Sequence, residues 1–98
     1  MIVRVTGAGA AVEDVGNLRE LRVDLDGPDD AAARAALADA GLGELSDEHA
    51  WLSIAALRTA GNGDDEWLAG FADMIRFAER EGWVSGDRVR AHVVRPEH

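Results

Sequence analysis

Few side chains in this sequence could do chemistry, and their spacing limits what that chemistry could be. Three histidines, His49, His92 and His98, could suggest a metal site. His49 is flanked by Asp47 and Glu48, but adjacent residues of a helix point in different directions, so the three cannot close on one ion. No histidine pair has metal-ligand spacing, and the absence of cysteine removes disulfides and thiolate chemistry. Ser46, Ser53 and Ser85 lack the glycine elbow of a hydrolase nucleophile. The sequence therefore predicts no catalytic residue, no metal site and no bound cofactor.

The run Gly7-Ala8-Gly9-Ala10-Ala11-Val12 follows a strand pattern and has the outline of a dinucleotide-binding turn. That turn must open a full crossover helix between two parallel strands, and the chain before Leu18 is too short for one. A tight turn is the reading that remains.

Charge is more informative. The net charge is −9, and residues 26–66 carry ten carboxylates against Arg34 and Arg58 alone. The ten basic residues are all arginine, the codon usage of a GC-rich bacterial genome. Asp29-Asp30, Asp47-Glu48 and Asp64-Asp65-Glu66 each stand at a helix start, where carboxylates cap amides and meet the positive end of the dipole. They predict an acidic helical surface suited to a basic protein partner. The same net charge opposes nucleic acid and anionic lipid, whose binding needs arginine and lysine. No apolar run is long enough to span a membrane, and no signal-peptide pattern is present, which predicts a cytoplasmic setting.

Against this acidic background, Arg4, Arg22 and Arg90, with His92, fall at alternate positions of strand patterns and so predict one shared outward face. They form either an anion or partner surface, or a solvated face with its arginines paired to Glu20 and Asp24. Trp51 is the other candidate contact. On a helical wheel it lies opposite the apolar side of its segment, so it is either buried on a second side or exposed as a partner anchor.

The elements that must position these groups follow from periodicity. Ile2–Thr6 alternates as a strand, residues 10–15 suit a short helical turn, and Leu18–Leu25 alternates again with Leu21, Val23 and Leu25 inward. Three helices follow: from Pro28 to Ala40 with Gly41 as its stop, from Ser46 to Gly61, and from Asp64 to Gly82. Trp83 stands where it can fold back on Ala78, and Arg88–Arg95 forms the last strand. The expectation is a single α+β domain over residues 1–98: a small antiparallel sheet of about three strands in the order β-β-α-α-α-β, with helices on one face. Trp67, Phe71, Ile75 and Val23 should share its core.

Two functions fit. One is a noncatalytic accessory or protein-interaction module, binding a basic partner through Asp29, Asp30, Asp47 and Glu48 or forming a homodimer through the sheet. The other is a small-molecule-binding protein or small enzyme that holds an anionic ligand near Arg4, Arg22, Arg90, His92 and tryptophan. A concave apolar pocket with converging polar groups would favour the second.

Overall fold

In the computed structural model, which describes residues 1–27, 29–46 and 49–95, the alternating run Ile2–Thr6 forms β1 and turns at Gly7-Ala8 into β2, Gly9–Glu13. The remaining elements are β3 (Arg22–Leu25), α1 (Asp30–Asp39), β4 (Gly43–Leu45), β5 (His49–Ser53), α2 (Ile54–Ala60), α3 (Asp65–Arg80), β6 (Val84–Ser85) and β7 (Arg88–Val94). The strands build one sheet in the order β2-β1-β3-β7-β5-β4, with β6 added beside β7.

This architecture corrects the expected three-stranded antiparallel sheet. The sheet has seven strands, is mixed, and curls into a half-barrel. α1 packs against β1 and β2 near one end of the strand order and against β4 at the other, so one helix spans the gap between the two edges. β1 and β3 run parallel, Ile2 beside Arg22 and Val5 beside Leu25. The segment between them was too short for a crossover helix, but it holds β2, an antiparallel hairpin partner of β1. Once β2 reverses the chain, residues 14–21 carry it back across β1. The expected helical turn at 10–15 is thus largely strand, with Ala10 and Val12 packed against the core and Ala11 and Glu13 exposed.

The second expected helix is the other correction. Residues 49–53 form β5, paired with β4 on one side and β7 on the other, and helix begins only at Ile54. Ser53, not Ser46, is its cap, and its hydroxyl accepts from the Ala56 amide at 3.2 Å. Intrinsic helix propensity, even that of alanine and leucine, spans only about 0.7 kcal/mol per residue, and two ladders of strand pairing outweigh it. The true period is two: Ala50 and Leu52 are buried, while His49, Trp51 and Ser53 alternate with them. Trp51 stood on the wrong side of a helical wheel because its segment is not a helix.

Other expectations hold. Asp29 and Asp64 cap α1 and α3, accepting from Ala32 and Trp67 amides at 2.8 and 2.7 Å. α1 ends in a Schellman motif, with Gly41 and Leu42 amides donating to the Ala38 and Leu37 carbonyls. The end of α3 repeats it through Gly82 (φ +79°), and the Trp83 amide donates to the Ala78 carbonyl at 2.8 Å. Val23, Trp67, Phe71 and Ile75 lie in one core cluster with Val3, Leu37, Leu52 and Val89. Trp67 stacks on Phe71 at 5.2 Å and donates its indole N–H to the Val15 carbonyl at 2.7 Å, which ties α3 to the β2–β3 connection.

Candidate ligand-binding site

Alternation along β1, β3, β7 and β5 sends the core residues to one face of the sheet and the polar ones to the other. The outer face therefore gathers Arg4, Arg22, Asp24, Arg90, His92, His49 and Trp51. Strand register sets their neighbours: Arg4 opposite Asp24, Arg22 opposite His92, His92 opposite His49, and Arg90 opposite Trp51. The expectation that Arg4, Arg22, Arg90 and His92 share a face is met, with His49 and Trp51 beside them.

The two halves of this face differ in charge. On β1 and β3 the arginines are matched by carboxylates. Arg4 Nε donates to both Glu13 carboxylate oxygens, at 3.1 and 3.2 Å, and its guanidinium reaches Asp26 at 4.0 Å. Arg22 donates to Asp24 at 2.8 Å and to Glu20 at 2.5 Å, both within its own strand and its approach rather than across strands. The hydrogen bond to Asp24, then that to Glu20, raises the Arg22 pKa above its ordinary value. On β7 and β5, Arg90 has no carboxylate partner among the described residues. Its guanidinium lies 5.9 Å from the centre of the Trp83 ring.

Arg90 stands at a fork. Along one edge, β7 pairs with β6 at Arg88 and Val89 and with β3 from His92 to Val94. The Arg90 amide still donates to the Trp83 carbonyl at 2.7 Å, and Ala91 falls between these two partners. A pocket of about 410 Å³ opens there. Its apolar wall is Leu21, Met74, Phe77, Ala78 and Trp83, and its polar rim is Arg19, Glu20, His49, Arg90 and His92. Met74, Phe77 and Ala78 are one face of α3 at helical spacing. Trp83 is set by the Schellman turn that ends the same helix. Its ring meets Phe77 edge-to-face at 5.9 Å and 73°, and Phe77 is 52% exposed. Across the rim, the His49 and His92 rings lie 6.4 Å apart in an edge-on arrangement.

The rim is locally positive in a chain of net charge −9. Its single carboxylate, Glu20, is held by Arg22, while Arg19 and Arg90 have no carboxylate partner among the described residues. The lining contains no serine, threonine or cysteine, so it offers no hydroxyl or thiol nucleophile. It provides guanidinium and imidazole groups beside an aromatic surface, over the buried Ala78, Val89 and Ala91.

Of the sequence-predicted site residues, the pocket collects Arg90 and His92. Arg4 and Arg22 stay on the sheet face, neutralised. Trp51 is half-buried on that face beside Arg90, outside the pocket lining. Asp29 caps α1, and Asp30 pairs with Arg95 at 3.1 Å. Asp47 and Glu48 lie outside the described residues. Sequence reasoning missed His49 because its strand was read as helix. It gave Trp83 only a capping role. The missed signal for Phe77 was an aromatic ring just off the buried positions 67, 71, 75 and 78.

Among the described residues, no group of three or more histidine, aspartate or glutamate side chains is placed to hold a metal ion. No helix among them is long and apolar enough to cross a membrane. Comparison of the chain with family models, curated proteins and solved structures gives no match.

Proposed function

We propose that this chain is a noncatalytic binding protein that captures a small anionic ligand at the fork of β7. The observation that carries the reading is the pocket itself: concave, walled by apolar side chains, and rimmed by two histidines and by Arg19 and Arg90, which have no carboxylate partner among the described residues of an acidic chain. Its volume falls in the range usual for small-molecule sites, roughly 300–1,000 Å³. Low-dielectric walls strengthen the attraction of the rim for an anion, and the acidic remainder of the surface repels anions elsewhere. The lack of a nucleophile in the lining supports binding over turnover. A cytoplasmic setting belongs to the same proposal and is supported by the absence of cysteine.

The test is a fragment screen sorted by charge and followed through the Trp83 indole resonance. Anionic fragments should shift Trp83 and compete with one another, and Arg90→Glu should abolish their binding. Hits indifferent to charge, or hits that leave Trp83 unmoved, would contradict the reading.

Self-association across the outer sheet face is a second reading. Val94, 40% exposed, and the half-buried Ile2 and Trp51 give an uncovered sheet face the apolar area a homodimer uses. Sedimentation at micromolar concentration should then show a dimer, and a monomer removes this reading.

A further inference from the structure

Resting on the pocket being a ligand site, we infer that its ligand is an aromatic carboxylic acid, with its flat body against Phe77 and Trp83 and its carboxylate at Arg90. Three features of the lining select that class. First, Arg90 is held over the Trp83 ring at 5.9 Å. A guanidinium already oriented by an aromatic face presents its planar fork with less ordering left to do, and that fork matches a carboxylate in two parallel hydrogen bonds.

Second, the wall beside this cation is aromatic and open. Phe77 is 52% exposed and meets Trp83 edge-to-face, so a third ring entering the pocket can stack on one and meet the edge of the other. Met74 and Leu21 complete an apolar wall that rewards a rigid hydrocarbon body.

Third, the lining has no serine, threonine, asparagine or glutamine side chain. With Glu20 already held by Arg22, the hydroxyls of a sugar or nucleoside would find few acceptors there, and unpaired groups are costly once buried. A single anionic head on an apolar plane leaves nothing unmatched: Arg90 takes the head, and His92 and His49 stand beside it on the rim.

The experiment is calorimetric titration of the full chain with three probes of one shape: 1-naphthoate, 1-naphthamide and 1-naphthyl phosphate. The acid should bind about tenfold or more tightly than the amide, the scale of one charge-assisted hydrogen bond. Arg90→Gln should remove that preference and leave the amide unchanged. Phe77→Ala, at an exposed position that does not threaten folding, should weaken acid and amide alike by several-fold. Equal binding of acid and amide, tighter binding of the phosphate, or an unchanged affinity in Phe77→Ala overturns the ligand class while the pocket remains a ligand site. Absence of saturable binding by all three probes overturns both the class and the reading beneath it.

Discussion

The β1–β3 half of the outer sheet face and the β7–β5 half are built by the same alternation and carry the same cation, yet they are in different electrostatic states. Arg4 and Arg22 each reach carboxylates on their own or adjacent strands, at distances from 2.5 to 4.0 Å. Arg90 faces an indole and a void. The first half is a solvated face whose charges are internally balanced. The second keeps its charge available, at the one place where the ladder on that edge of β7 is interrupted. An outward arginine therefore says little until its acidic neighbours are counted, and here the count separates two matched arginines from an unmatched one.

The comparison can be broken most severely from beneath. Phe71 is 1% exposed and stacks on Trp67 under the sheet. Phe71→Ala should cost about 3–5 kcal/mol, as large core truncations do, and both halves of the face should be lost together. Chemical denaturation checks this, and a loss below about 1 kcal/mol would place Phe71 outside the core.

A smaller effect is confined to one side. Gly43 sits at φ +151°, and a β-carbon there would lie 2.1 Å from the Trp51 carbonyl oxygen. Gly43→Ala should cost about 1–3 kcal/mol through backbone strain and displacement of β5. Trp51 and His49 resonances should move while those of Arg4 and Arg22 stay in place. Unperturbed β5 resonances would separate the β4 edge from the site.

The smallest stability effects are at the arginines themselves. Arg4→Gln removes a pair whose members are 36% and 49% exposed, so its loss should be about 0.2–1 kcal/mol. Arg90→Gln removes no ion pair among the described residues, only the contact with the Trp83 ring, and should change stability by no more than about 1 kcal/mol. A large loss at Arg90 would make it a structural residue and dissolve the contrast between the halves.

Much of this was legible locally. β1 and β7 announced themselves by strict alternation, and α1 and α3 by carboxylates at their starts and glycines at their stops. Trp83 over Ala78 followed from the Schellman pattern alone. What failed was non-local. Segment 49–53 has helix-forming composition and becomes strand because β4 and β7 flank it. The parallel pairing of β1 and β3 depends on a five-residue strand, Gly9–Glu13, too alanine-rich to declare itself. The pocket was hidden for the same reason. It exists because β7 changes partners between Val89 and His92, a fact of the ladder and of no single segment. Arg90 and His92 could be named from the sequence, but their companions on α3 and β5 could not.

The most direct test of the central claim is the affinity of 1-naphthoate for the wild type, Arg4→Gln and Arg90→Gln, measured by calorimetry in one buffer. The account predicts that Arg4→Gln stays within about twofold of the wild type, because that guanidinium is already occupied by Glu13 and Asp26, neither of which lines the pocket, and that Arg90→Gln binds about tenfold or more weakly. Equal losses in the two variants, or a larger loss at Arg4, would contradict it.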